Sequence, residues 1–291
     1  MLMIVNPHAG KMTVKSHMIE IIDMFCAHGY DVNVQTTQCA GDAVRIASQA
    51  NGDLDRIVCC GGDGTLNETI TGLLSTGSDI PVGYIPCGTT NDMAKSLGLP
   101  TKIMDAANVA ISGTPVPHDL GLIDGNRLFT YITAFGVFTR SSYATPQNMK
   151  NLLGHFAYVL NGAKDLTNLK KYRTRVTFGE EKIEDDFIYG AVSNSISFAG
   201  LFKFPEDKVD LNDGKFEVLL IKKPTNPMAL TDLYLSLQKH KFDDRNIVLA
   251  HTDKVTFETK DELVWTIDGE SGAPTRSVTV ENQPGKVSII R

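Results

Sequence analysis

The chain has 291 residues, 42% of them hydrophobic, and a formal net charge of −6, which is enough to bury one large core or, more naturally, two domains. The negative balance argues against a general nucleic-acid or membrane-coating role, and no run of about 18 apolar residues offers a membrane span. Cys26, Cys39, Cys59, Cys60 and Cys87 are odd in number and show no C-x-x-C spacing. They read as reduced structural thiols of a soluble, cytoplasmic protein, and the opening Met1-Leu2-Met3-Ile4-Val5 is too short for a signal peptide.

That apolar opening reads as a first strand, followed by the loop Asn6-Pro7-His8-Ala9-Gly10 and a helix carrying Met18, Ile21, Ile22 and Phe25 on one face. A second strand over residues 30–36 leads to Thr37 and a helix opening at Gly41-Asp42. The third, Ile57-Val58-Cys59-Cys60, is a buried parallel strand by its unbroken apolar run. It ends in Gly61-Gly62-Asp63-Gly64-Thr65-Leu66-Asn67-Glu68, from which Leu66, Ile70, Leu73 and Leu74 continue at helical spacing. A fourth strand at 80–85 ends in Pro86-Cys87-Gly88-Thr89-Thr90-Asn91-Asp92 and a further helix. Strands alternating with helices predict a doubly wound parallel sheet, an α/β domain over 1–117 whose ligand crevice lies beyond the carboxyl ends of the strands.

From His118 onward the texture changes. His118 to Ile123, a Gly125-Asn126 turn and Arg127 to Gly136 read as a hairpin, with further strands at 174–178, 186–193, 215–221, 254–259 and 263–267, and helices at 147–169 and 227–240. Mostly antiparallel strands with turns predict a C-terminal β-sandwich over 118–284.

The glycine-rich loop is the informative stretch. Three glycines in four residues let the backbone approach a ligand while the following helix aims free N–H groups and a positive dipole end at the same place, which makes a phosphate cradle. Asn67 stands where a dinucleotide fingerprint needs its third glycine, and no Lys-Ser/Thr follows as in a P-loop. Asp63 beside phosphates implies a divalent cation or a hydrogen bond from a reacting hydroxyl; the competing reading is a plain strand-to-helix turn with Asp63 as a helix cap. Convergence of this loop with Asn6, Pro7, Gly10, Thr37, Gly88, Thr89, Asn91 and Asp92 at one sheet edge favours the ligand site.

Gly-Gly-Asp-Gly-Thr resembles the signature shared by the diacylglycerol kinase catalytic domain, the sphingosine and ceramide kinases, the NAD kinases and the phosphofructokinases. Gly88-Thr89-Thr90-Asn91-Asp92 looks like the Gly-Thr-x-Asn-Asp of bacterial lipid kinases, which selects the diacylglycerol kinase branch. The loop at Asn6 matches the family's Asn-Pro-x-Ser-Gly except that Ala9 replaces the serine, and Lys95 stands where arginine is common. The resemblance implies ATP and Mg2+ as cofactors, a nucleotide-binding domain similar to NAD kinase and phosphofructokinase, and a return of residues 285–291 to that domain. Nucleotide contacts then fall on Asn6, Pro7, Gly10, Thr37, Gly61, Gly62, Asp63, Gly64, Thr65, Asn67, Glu68, Gly88, Thr89, Asn91 and Asp92.

Two acidic clusters lie in the second half. Asp210-Leu211-Asn212-Asp213-Gly214-Lys215 reads either as a hairpin turn or as oxygen ligands for a cation. The resemblance places a structural magnesium on Asp213, with Asp210 and the backbone of Lys215, and assigns Asp119 beside the catalytic metal together with Asp92. Asp268-Gly269-Glu270 ends the strand 264–267; by resemblance Glu270 is the general base and Asp63 orders the reacting groups. A carboxylate partly desolvated between domains can be raised toward working pH for that task.

The implied reaction is transfer from ATP to the hydroxyl of diacylglycerol. The helix 151–160, followed by Lys164, Lys170, Lys171, Arg173 and Arg175, is expected either to dock peripherally on anionic lipid or to pack in a core with a solvated basic end. The acceptor stays open among diacylglycerol, a sphingoid base, phosphatidylglycerol and NAD, and a regulatory nucleotide-binding protein without turnover is the reading from another class. No nucleic-acid partner is expected, and a homodimer is compatible with the sequence. Relatives commonly carry a glycine-rich stretch before the metal loop, where this chain has Ser197-Phe198-Ala199-Gly200-Leu201-Phe202 followed by Pro205-Glu206-Asp207. Bulk and charge there are expected to reshape the lipid pocket.

Overall fold

The computed structural model describes residues 1–10, 14–50, 53–136, 169–195, 197–198, 202–203, 211–239, 242 and 245–291. Asp210, residues 205–207, the run 151–160 with Lys164, and all but the last position of the helix expected at 147–169 lie outside them. The chain divides into two units, Met1–Leu120 with Pro284–Arg291, and Gly121–Gln283.

In the first unit β1 (Leu2–Val5), β2 (Asn33–Thr36), β3 (Ile57–Gly61) and β4 (Val82–Pro86) pair in parallel in the order β4-β3-β1-β2. The interior strands β1, β3 and β4 are buried throughout, whereas edge strand β2 is mostly exposed. This is why Leu-Met-Ile-Val and Ile-Val-Cys-Cys are unbroken apolar runs and Asn-Val-Gln-Thr is mostly polar. Helices α1 (Val14–Ala27), α2 (Asp42–Ala47), α3 (Asp63–Ser75), α4 (Asp92–Ser96) and α5 (Ile103–Ser112) connect and cover the strands. Met3, Val5, Phe25, Val58, Cys60, Ile85, Ala107 and Ile111 share one core. At the chain's end Ile289 pairs in parallel with Val82, so the final residues form a fifth strand beside β4. Because all these strands run the same way, the loops after β1, β2, β3 and β4 emerge at one sheet edge.

In the second unit β7 (Ile132–Gly136), β8 (Tyr172–Phe178), β9 (Glu181–Ser193), β12 (Phe216–Lys222), β13 (Ile247–Thr252), β14 (Lys254–Ile267) and the first part of β15 (Glu270–Ile290) pair antiparallel. β5 (Pro115–Ile123) runs from one unit into the other and pairs its end with β6 (Arg127–Phe129). Two-residue strands β10 (Ser197–Phe198) and β11 (Phe202–Lys203) form a separate ribbon, and α6 (Pro227–Gln238) opens with Asn226, whose side chain accepts from Ala229 N. Long strands serve several partners: β9 pairs with β8 through residues 181–187 and with β7 through 189–193. The core is aromatic, with Trp265 packed edge-on against Phe135 and Phe257 at 4.9 and 4.8 Å between ring centroids.

Two sequence expectations change here. The strands at 254–259 and 263–267 are one strand, β14, whose register against β15 shifts between Glu258 and Leu263. The arm expected from Arg127 to Gly136 breaks into β6 and β7, because the N–H groups of Thr130, Tyr131 and Ile132 turn to the Asp268 carboxylate. Asp268 and Gly269 take φ 45° and 97° and join β14 to β15, with Ile267 opposite Glu270; two left-handed residues between paired strands are what an Asp-Gly hairpin turn supplies.

Candidate functional site

The four loops at the edge of the parallel sheet hold one another before any ligand arrives. Asn6 N donates to Cys60 O at 2.8 Å, and its side-chain Nδ2 donates to Thr65 Oγ1 at 3.1 Å, while Asn6 Oδ1 accepts from His8 N. Cys87 N donates to Gly61 O at 2.7 Å. Asn91, in the left-handed region at φ 50°, closes a ring on Gly88 by accepting from its N–H and donating to its carbonyl. Gly10 lies at φ 51°, and a Cβ there would sit 2.4 Å from Cys87 O; one on Gly88 would sit 2.7 Å from Gly62 Cα. These backbones approach so closely that only glycine fits.

Between them is a cavity of about 430 Å³ lined by Asn6, Gly10, Thr37, Gly62, Gly64, Thr65, Glu68 and Gly88 among the residues expected from sequence, and by His8, Ala9, Gln38, Cys39 and Ala40 as well. Pro7, Gly61, Asp63, Asn67, Thr89, Asn91 and Asp92 are not on its lining. The additions at 38–40 were legible from topology alone, since they follow Thr37 at the carboxyl end of β2. Among the described residues the lining contains no lysine or arginine. An anion there would be met by polar lining residues such as Thr37 and Thr65 and by the start of α3.

Gly64 tests whether a phosphate-bearing ligand fits. It is the second residue of α3, has no positive φ, and a Cβ on it would meet no protein atom within 4 Å. Among the described residues nothing within 4 Å of that position requires glycine, and Gly64 lines the cavity, so a ligand there can approach its backbone closely.

The carboxylates expected at the ligand are also hydrogen-bonded or ion-paired within the fold. Asp63 Oδ2 and Oδ1 accept from the N–H groups of Asp92 and Met93 at 3.0 Å each, so Asp63 caps α4, a helix 29 residues away, rather than its own. Glu68 accepts from Gly41 N at 2.9 Å and Ala43 N at 3.2 Å. Asp92 is buried beside Lys95 at 3.2 Å, and buried Asp119 accepts from Gly285 N at 2.7 Å, fixing the returning C-terminal segment. Cys59, Cys60 and Cys87 are buried, and burial pushes their thiols up, to about 12 for Cys59 and about 11 for Cys87.

In the second unit Asp268 is buried and takes four donors: the N–H groups of Thr130, Tyr131 and Ile132 and the Thr130 hydroxyl, at 2.6 to 3.1 Å. Burial raises its carboxyl above the ordinary value, and these donors pull the other way. Two residues on, Glu270 is 69% exposed, with Arg127 Nη2 at 3.5 Å. Sequence reasoning named the glutamate of this turn and passed over the aspartate that fixes it; the Asp-Gly hairpin signal was the available cue.

Asp213 Oδ1 accepts from Lys215 N, and its Oδ2 faces His251 Nε2 at 3.1 Å; His251 also lies 3.7 Å from buried Glu217. The Lys215 carbonyl accepts from Asn282 Nδ2. Among the described residues no group of three or more His, Cys, Asp or Glu side chains is arranged to hold a metal ion; Asp210, expected as a ligand beside Asp213, lies outside the described residues. On β8 and β9 Arg173 and Arg175 pair with Glu184, and Lys171, just before β8, pairs with Asp186. No helix among the described residues is long and apolar enough to cross a membrane.

The chain is similar to known proteins over most of its length. Residues 1–123 match the diacylglycerol kinase catalytic domain, and residues 133–291 match the YegS C-terminal NAD kinase beta sandwich-like domain. Over 271 residues the chain is 31% identical to the diacylglycerol kinase of Bacillus subtilis (strain 168), covering 92% of this chain and 89% of that protein. It is 29% identical to the diacylglycerol kinase of Staphylococcus haemolyticus (strain JCSC1435), covering 92% and 81%. A crystal structure from Bacillus anthracis str. Sterne superimposes with a TM-score of 0.81 at 25% identity, covering 99% of this chain and 94% of that one. The crystal structure of a diacylglycerol kinase from the same organism gives 0.76 at 24% identity and shows the same fold.

Proposed function

The chain belongs to the diacylglycerol kinase catalytic domain family, and from that premise we propose that it is an ATP-dependent lipid kinase that converts diacylglycerol to phosphatidic acid. The observation that carries the nucleotide half is Gly64, a helix residue whose missing side chain leaves open space at the floor of a cleft rimmed by glycine backbones. Phosphates there are bound by N–H groups that the interlocked loops hold in place, so the electrostatic stabilisation is organised before the reaction begins.

The transfer needs an acceptor oxygen freed of its proton. The lipid hydroxyl attacks the terminal phosphorus, the bond from that phosphorus to the bridging oxygen breaks, ADP leaves with the electron pair, and Glu270 accepts the hydroxyl proton. The rigid turn below it, with Asp268 tied by four donors, sets where that carboxylate stands. The nucleotide is taken as its magnesium complex, whose cation neutralises phosphate charge. Asp63 and Asn91 act by holding α4 and the Gly88 loop.

The test is transfer from labelled ATP to diacylglycerol in mixed micelles, with sphingosine, phosphatidylglycerol and NAD in parallel. Labelled phosphatidic acid is the expected product. Label on another acceptor alone keeps the kinase and removes the substrate; ATP binding with no transfer to any acceptor replaces the enzyme with a regulatory nucleotide-binding protein.

A further inference from the structure

We propose that Glu68 is a positioning residue that holds one wall of the cleft at the spacing a nucleotide needs, and does not itself touch the nucleotide; this rests on the reading of the cleft as a nucleotide site. The wall is the segment after β2, where Thr37, Gln38, Cys39 and Ala40 line the cavity across from Gly62, Gly64 and Thr65. It has little of its own to hold it. α2 is six residues long, its N-cap Gly41 lies at φ 84°, and no side chain of that cap satisfies the first turn. Two carboxylates do the holding. Asp42 accepts from Gln38 N at 2.7 Å and Cys39 N at 3.2 Å, which closes the loop on itself. Glu68, from the second turn of α3, reaches across and accepts from Gly41 N and Ala43 N with one oxygen each.

The arrangement also manages charge. Glu68 lines the cavity, and a carboxylate left free there would repel a polyphosphate. With both oxygens on N–H groups at the start of α2, its charge is offset by donors and its direction is fixed. One glycine supports the same contact: a Cβ on Gly72 of α3 would lie 2.2 Å from Val44 O, so the two helices meet backbone to backbone just beyond Glu68.

Glu68→Gln preserves size but sets an NH2 group against one of the two N–H donors. Losing a charge-assisted bond of this kind is expected to raise KM for ATP about tenfold, with a smaller change in kcat and no change in KM for the lipid. By hydrogen exchange the amides of Gly41 and Ala43 are expected to exchange about tenfold faster, with those of β1 and β3 unchanged. Glu68→Asp, too short to bridge both donors, is expected to fall between and serves if the glutamine variant does not fold. A raised KM with Gly41 and Ala43 exchanging as in wild type would make Glu68 a nucleotide contact and overturn the proposal. Parallel loss of kcat and melting temperature would make it merely structural, with the same consequence. If wild type binds no ATP while exchange at Gly41 and Ala43 still rises in Glu68→Gln, the nucleotide reading fails and the hold on the wall stands. ATP binding with unaltered exchange gives the reverse.

Discussion

The proposed nucleotide cleft and the Asp268–Glu270 turn place their acids in opposite settings. In the cleft, Asp63 and Glu68 spend their oxygens on backbone N–H groups 25 to 30 residues away in sequence, so these acidic side chains act as struts. In the turn one aspartate is the strut, buried under four donors, and the glutamate two residues on stands 69% exposed. The difference separates two tasks that a motif runs together. The carboxylates that fix geometry are taken up by distant backbone N–H groups, and the glutamate proposed to take the proton is left exposed.

The contrast can be broken or sharpened by substitution. The largest expected effect is on turnover: Glu270→Gln lowers the transfer rate by about 10² to 10⁴-fold, as loss of a general base does, with ATP affinity unchanged by calorimetry. If ATP affinity falls with the rate, the division of tasks is wrong. Next comes stability. Asp268→Ala removes the acceptor of four buried hydrogen bonds and is expected to cost about 3 kcal/mol or more in denaturant unfolding; a cost under about 1 kcal/mol would deny it the role of strut. Gly64→Ala sharpens the other side. The added methyl meets no protein atom within 4 Å and favours the helix by up to about 1 kcal/mol, so the melting temperature holds or rises. The same methyl enters the ligand's space and weakens ATP binding by about 1–3 kcal/mol. Smallest in energy is a labelling pattern. Iodoacetamide is expected to modify exposed Cys26 and Cys39 and to spare Cys59, Cys60 and Cys87, whose thiols burial holds high. ATP is expected to slow Cys39 alone, read by peptide mass.

Much of the first unit was legible because its signals are local. Apolar runs bounded by glycine loops give β1, β3 and β4, and a parallel sheet then brings those loops to one edge. What stayed hidden depends on partners far away in sequence. Nothing near Asp63 says that its carboxylate will cap α4, and nothing near Glu68 names Gly41 and Ala43. α5 has helical spacing but no side-chain cap at Lys102 and no glycine loop to announce it. β15 is disguised by the polar stretch 271–277 with Pro274 inside it, and by Pro284-Gly285 where the strand passes between units. In the Asp-Gly-Glu turn the hairpin signal was readable, but the four donors that make Asp268 the strut come from residues 130–132, whose sequence reads as ordinary strand.

If the four loops of the first unit form the nucleotide site, a bound nucleotide protects all of them together. Hydrogen exchange followed by mass spectrometry, with and without a non-hydrolysable ATP analogue, tests it without depending on turnover or on the acceptor. Slowed exchange in peptides covering 6–10, 37–43, 61–68 and 87–92 is the expected result. Binding of the analogue with unchanged exchange in all four segments would contradict the account.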